Sequence, residues 1–235
     1  MRRARDERGP DRGFFDLWSV VYDAPLAQWL LYRPEHEAVM QALRSCGARR
    51  ILDVGCGTGR LVARVRREIP DGRIVGCDFS RGMLERAARG RALPLLVQAT
   101  ALRLPFRDAS FDAIVSTEAF HWFPDQVAAL REFRWVVVPR GRILLSLVNP
   151  SAALSSAARV VSGAVGAPFR FPTRAGMCAL VRDAGFRVLD QRFVFRLVLP
   201  FAFPTFLTEA EPAPELSPGG PATPGVPRSE RQAAS

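Results

Sequence analysis

The sequence predicts an α/β domain, a doubly wound, mostly parallel sheet of seven strands with an antiparallel strand at the C-terminal end. Three observations predict it. Short apolar runs rich in β-branched residues recur at 51–54, 73–77, 95–98, 110–116 and 143–148, and helical spacing fills the gaps between them. The first run breaks into three glycines at alternate positions, Gly55, Gly57 and Gly59, before Leu61-Val62-Ala63-Arg64-Val65 resumes at helical spacing. Two further runs near the end, Phe186 to Arg196 and Phe201 to Glu209, are joined by a short connection and read as an antiparallel pair.

Strand, glycine turn and helix in that order bring free backbone N–H groups and the positive end of a helix dipole to one point. A ligand with an anionic or strongly polar part fits there. Asp53 stands two residues before the first glycine. A carboxylate at that place suits an ammonium group and repels a pyrophosphate, and the spacing G-x-G-x-G differs from the G-x-G-x-x-G of dinucleotide sites. A glycine turn without any ligand is the plain alternative.

At these residues the sequence resembles the class I S-adenosylmethionine-dependent methyltransferases, in particular the small-molecule branch that includes quinone-biosynthesis enzymes. Asp53, Gly55, Gly57 and Gly59 meet that family's first motif, E/D-x-G-x-G-x-G, in full. The resemblance implies a Rossmann-like fold with S-adenosyl-L-methionine as cofactor.

A charged segment at 1–13 with Gly and Pro is expected to be disordered. The domain is then expected over 14–210, opening with a segment at 14–33 that contains Tyr22 and Asp23. In the family it resembles, a Tyr-Asp pair in such a segment lies over the cleft as a lid; simple packing on the domain's exterior is the alternative. Pro34 at a first helical position, with Glu35 and Glu37 beside it, starts a helix to about Cys46. His36 is given no role.

After the glycine loop a helix to about Ile69 ends before Pro70-Asp71-Gly72, a turn signal. The strand Arg73 to Cys77 ends in Asp78, about twenty residues past the loop, where an acid can accept both hydroxyls of a ribose. An N-cap is the other use of Asp78, but Ser80 supplies that cap unaided. By resemblance to the D-x-S-x-x-M-L pattern, Phe79 and Met83 flank the adenine. Leu95 to Gln98 then leads to Ala99-Thr100-Ala101-Leu102-Arg103-Leu104-Pro105-Phe106, similar to the family's G-D-A-x-x-L-P-F. There the aspartate receives the adenine amino group and the next backbone N–H meets a ring nitrogen. Thr100 replaces the aspartate, a weaker neutral acceptor, and Ala101 supplies the N–H.

Ser110 to Ser116 resembles the S-F-D-x-V strand, followed by Thr117-Glu118-Ala119-Phe120-His121-Trp122-Phe123-Pro124-Asp125. Ligands in such sheets bind outside the carboxyl ends of the strands where the order reverses. Thr117 therefore joins the cofactor set. His121 is the first candidate for a base, before Tyr22, Asp23 and Glu118, with a structural role for His121 equally open. The N/D-P-P-Y/F motif of amino-directed nucleic-acid methyltransferases is absent, so the resemblance implies a small-molecule or carrier-bound acceptor that reacts through oxygen or carbon. A helix from Asp125 to about Val137 precedes a turn at Pro139-Arg140-Gly141-Arg142, and small apolar residues at 152–165 suggest a helix over the cleft. Thr173 caps a last helix that ends at Gly185. From 211 to 235 the chain is rich in Pro, Gly, Ala and Ser, and a disordered tail is expected.

Composition limits the alternatives. The net charge of +10 raises nucleic acid as a partner, but all 33 basic residues are arginine, a bias that coding composition explains as well as selection does. Nucleic acid is disfavoured on that ground and by the missing motif. Arg81, Arg86, Arg89, Arg91, Arg103 and Arg107 form a strip that could meet an anionic surface weakly, and a solvated face is the plainer account. Cys46, Cys56, Cys77 and Cys178 lack metal-ligand spacing and read as reduced packing thiols. No metal is called for, and no run suits a membrane span or a signal peptide, so a cytoplasmic location is expected. A catalytically weak protein with the same fold, acting as binder or scaffold, and an NAD-dependent oxidoreductase remain as competing functions.

Overall fold

The computed structural model describes residues 33–89, 95–148, 170–194 and 205–214. Helix α1 covers Arg33–Ser45 and is followed by β1 (Arg50–Val54), α2 (Arg60–Glu68), β2 (Arg73–Asp78), α3 (Arg81–Ala88), β3 (Leu95–Gln98) and β4 (Phe111–Thr117). A 3₁₀ turn at Phe120–Trp122 leads to α4 (Gln126–Val136), β5 (Val137–Val148), α5 (Arg174–Asp183), β6 (Phe186–Val194) and β7 (Thr205–Pro212).

The seven strands form one sheet in the order β3-β2-β1-β4-β5-β7-β6. The first five are mutually parallel, while β7 runs antiparallel to both β5 and β6. The strand order reverses between β1 and β4, which pair from Ile51↔Ala113 to Asp53↔Val115. This reversal opens a crevice at the carboxyl ends of β1 and β4.

Alternation along the strands divides the core into two layers. On one face Ile51, Ile74, Ala113, Val115, Leu144 and Leu207 pack with Val39, Met40 and Leu43 of α1 and Leu61, Val62 and Val65 of α2. On the other, Leu52, Ile114, Ile143, Leu145 and Phe206 meet Leu130 and Phe133 of α4 and Met177 and Val181 of α5. Three helices begin as their sequences imply. Ser80 Oγ accepts from Met83 N, Asp125 Oδ1 from Ala128 N and Thr173 Oγ1 from Gly176 N.

The sheet departs from expectation at its C-terminal half. The anticipated turn at Pro139-Arg140-Gly141-Arg142 is instead a bulge inside β5: Phe111 pairs with Val137, and the ladder resumes at Ala113↔Arg142. Only glycine fits at 141, where a Cβ would stand 2.5 Å from Val137 Cγ2 and 2.7 Å from Asp112 O. Strand β7 continues past Glu209 to Pro212, because Glu211 pairs with Arg142 at 2.5 Å and with Arg187 of β6. Pro212 sits at the strand's end, where no ladder donor is needed. The tail expected from 211 therefore begins later, since 211 and 212 belong to β7; its residues 215–235, the segments expected at 1–32 and the helix expected at 152–165 lie outside the described residues. Among those that are described, no helix is long and apolar enough to cross a membrane.

Candidate functional site

The glycine loop closes tightly onto β2. Gly55 N and Cys56 N both donate to Cys77 O, at 2.7 and 3.0 Å. Gly55 has φ +78°, and a Cβ there would lie 2.3 Å from the Cβ of Ala119, so the loop presses against the segment that leaves β4. Gly57 is different: its φ is +54°, but a Cβ would meet nothing within 4 Å. The loop is thus closed at Gly55 and open at Gly57.

Asp78 ties the loop to the next strand. Its Oδ2 accepts from Gly57 N at 2.8 Å and its Oδ1 from Ser80 N at 2.9 Å. Burial pushes its carboxyl above the usual carboxylate range, against the pull of these backbone donors. The backbone of Phe79 bonds it as well, so of the about four acceptor positions of a carboxylate one remains for a ribose hydroxyl.

Asp53 lies on the α1 face of β1 and is 1% exposed, with neither carboxyl oxygen hydrogen-bonded. Burial, and then the charges of Asp78 and Glu35, push its carboxyl up to about 8. An unpartnered buried carboxyl at a crevice is costly and calls for a ligand.

The remaining expected groups follow the carboxyl ends of β2, β3 and β4. Phe79 is half-buried with its carbonyl held by Gln98 Nε2 at 3.1 Å, and Met83 is buried in the first turn of α3. Ala99 N donates to Asp78 O, which sets the 100–104 turn beside the loop. The exposed Thr100 hydroxyl already accepts from Leu102 N at 3.3 Å, so one acceptor position is left; Ala101 is buried. Thr117 ends β4, and Glu118 beyond it holds φ +52°, a strained value for a residue with a side chain. Its N–H donates to Ser146 O at 3.1 Å, while its carboxylate accepts from Thr205 Oγ1 at 3.5 Å.

His121 is 7% exposed and stacked on Phe171, with ring centroids 4.7 Å apart, and Trp122 lies 5.0 Å away on the same turn. Burial holds its imidazole down to about 3, so the ring is neutral at physiological pH. Gln126 Nε2 fastens this arrangement by donating to the carbonyls of Phe120 and Arg170. Tyr22 and Asp23 lie outside the described residues.

Glu35 is the residue that sequence reasoning missed. In sequence it is a dipole-stabilising acid of the first helical turn, yet it is fully buried and accepts a hydrogen bond from Ser146 Oγ of β5. The signal was present in the helical phase, since 35, 39, 42 and 43 share one face of α1, with Val39, Ala42 and Leu43 wholly apolar.

Residues 52–145 match the methyltransferase domain family. Among curated proteins, the chain is 33% identical over 199 residues to a malonyl-[acyl-carrier protein] O-methyltransferase of Geobacter sulfurreducens, spanning 78% of this chain and 72% of that protein. It is 37% identical over 126 residues to a demethylmenaquinone methyltransferase of Deinococcus radiodurans, spanning 52% of this chain and 48% of that one. The chain therefore spans about half the length of the demethylmenaquinone methyltransferases it matches. Two solved structures share the fold. One is the methyltransferase bound to the Haloferax volcanii Trm112 activator, at TM-score 0.68 and 21% identity over 90% of this chain and 100% of that one. The other is a SAM-dependent methyltransferase from Thermotoga maritima, at TM-score 0.66 and 20% identity over 86% and 97%. The chain belongs to the class I S-adenosylmethionine-dependent methyltransferases, in the branch that contains quinone-biosynthesis and carrier-acid enzymes. S-Adenosyl-L-methionine is that family's cofactor, and the residues present suit such a ligand: an orphaned buried carboxyl at Asp53, an open backbone position at Gly57 and an acceptor position left on Asp78.

Proposed function

We propose that this protein transfers the methyl group of S-adenosyl-L-methionine to a small-molecule or carrier-bound acceptor through an oxygen or carbon nucleophile. The observation that carries this reading is the pairing of Asp53, buried with no partner, and Asp78, latched to the open glycine loop. Asp53 receives the ammonium of the amino-acid end, Gly57 lets the backbone approach while Gly55 and Gly59 hold the loop against Ala119 and Ala87, and Asp78 accepts from the ribose. Phe79 and Met83 flank the adenine, Thr100 and Ala101 meet its polar edge, and Thr117 closes the sulfonium end. The cofactor supplies an already activated methyl group, so the protein mainly holds donor and acceptor in line in a dry crevice.

Where the acceptor must lose a proton, Glu118 is the better-suited base, because its carboxyl group stands just past the tip of β4, while burial makes the stacked His121 ring a poor proton acceptor and leaves it as an aromatic wall. A weaker role as a cofactor-binding scaffold draws support from Thr100, whose hydroxyl is already engaged by Leu102 N. Titration calorimetry with S-adenosylmethionine and S-adenosylhomocysteine tests the function. Micromolar binding of both, followed by transfer of labelled methyl to an acceptor from cell extract, is the expected result. Binding of neither overturns it.

A further inference from the structure

Asp53 has more acid around it than one ligand ammonium explains. It projects from β1 on the face covered by α1, the face on which Val39, Met40 and Leu43 form the apolar layer one turn or more away. At the head of that layer sits Glu35, fully buried, its carboxylate bonded to the hydroxyl of Ser146. The charged groups that act on Asp53 are Asp78 of β2 and Glu35 of α1, both acidic. The neighbouring thiols add no cation. Cys77 of β2 is pushed up to about 12 and Cys56 of the loop well above its ordinary value, so both stay protonated. His36 follows Glu35 on α1 and is buried as well.

The strand register puts both carboxyls on this face at the carboxyl end of the sheet: Asp53 stands beside Val115 and Val115 beside Leu144, and Ser146, which donates to Glu35, follows Leu144 by two residues on the same side. Two carboxyls buried together there resist ionising together without a cation. We propose that Glu35 and Asp53 form one receptor for the α-ammonium of the methyl donor, and that the ammonium enters in exchange for a proton held by this pair. The exchange balances: the carboxylic acid loses its proton to solvent, and the carboxylate left behind forms the ion pair with the ligand's ammonium. Glu35 thereby becomes a cofactor-binding residue, delivered by a helix outside the residues that match the family model. Burial gives the proton its place, since Asp53 is pushed up to about 8 in the ligand-free protein. The receptor rests on the proposed methyl-transfer site.

The test is calorimetric titration of the full chain in buffers of different ionisation enthalpy at pH 7. The probes are S-adenosylhomocysteine, which carries the ammonium, and 5′-methylthioadenosine, which lacks the amino-acid end. Homocysteine-form binding is expected to release about one proton and to tighten by up to about tenfold per pH unit as pH rises toward 8, whereas the truncated nucleoside releases none. Glu35→Gln is expected to weaken S-adenosylhomocysteine at least severalfold and to cut the proton release by half or more, with 5′-methylthioadenosine affinity unchanged as the control for folding. If that variant loses both ligands, Asp53→Asn decides, by abolishing the release while retaining the truncated nucleoside. Buffer-independent heats for wild-type protein, or a Glu35→Gln variant that matches wild type in affinity and proton count, overturn the receptor while leaving the cofactor site standing. Binding of neither ligand by wild-type protein overturns the cofactor site itself.

Discussion

Asp78 Oδ2 accepts a hydrogen bond from Gly57 N at 2.8 Å, across 21 residues of chain. One carboxylate thus both shapes the glycine loop and, through its remaining acceptor position, offers a grip for a ribose hydroxyl. Asp78→Ala removes both. The expected outcome is a loss of S-adenosylhomocysteine affinity of at least tenfold, with a stability loss of about 1–3 kcal/mol from the stranded N–H groups of Gly57 and Ser80. Calorimetry and denaturant unfolding measure the two, and an unchanged affinity removes Asp78 from the site.

Gly55 and Gly57 separate folding from binding. Gly55→Ala forces a methyl group to within 2.3 Å of Ala119 Cβ at φ +78°, so a loss of several kcal/mol or failure to fold is expected. Adding Ala119→Gly relieves the clash and restores part of that loss. Gly57→Ala costs only the left-handed backbone, about 1–2 kcal/mol, yet its methyl enters the open side of the loop. Binding should fall more than tenfold while the fold persists, as read by circular dichroism beside calorimetry.

Asp53 gives the ligand-free protein an unusual pH response. Its folded carboxyl is raised to about 8 from the ordinary 3.8, so its contribution to stability is full below the unfolded value and is lost as pH rises through the folded one. Relative to Asp53→Asn, the wild-type protein should weaken between pH 4 and pH 8 by about 1.4 kcal/mol per pH unit at the steepest. Unfolding curves of the two proteins across that range check it, and parallel curves would show that Asp53 is ionised throughout.

His121 responds in the opposite sense. Its folded value is lowered to about 3 by burial, so the stability it contributes is present above the unfolded value near 6.5 and is lost as pH falls toward 3. Its ring resonances should not titrate between pH 5 and pH 9 in nuclear magnetic resonance. Turnover of His121→Ala should drop through loss of the wall formed with Phe171 and Trp122, with little change in donor affinity. A pH–rate profile that loses a group near neutrality in this variant would restore His121 as the base.

Most of the parallel half was legible in the sequence, because each of its strands is bounded by a chemical signal that acts locally: three glycines after β1, Asp78 and Ser80 after β2, Thr173 before α5. The bulge in β5 was not, since Gly141 is demanded by Val137 and by Asp112 O of the neighbouring strand, and a nearby Pro-Arg-Gly reads equally well as a turn. The end of β7 was hidden for the same reason. Glu211 belongs to the strand through Arg142 and Arg187, neither of which is near it in sequence.

By itself the sequence determined the alternation of strand and helix, the glycine loop and the two acids at Asp53 and Asp78, all of them properties of short segments. Only the tertiary structure decided that Glu35 is buried against Ser146, that Asp53 has no partner and that His121 is a neutral ring stacked on Phe171. Burial and charge at those three side chains are set by groups brought from distant elements, and desolvation in a packed interior has no signature within a window of a few residues.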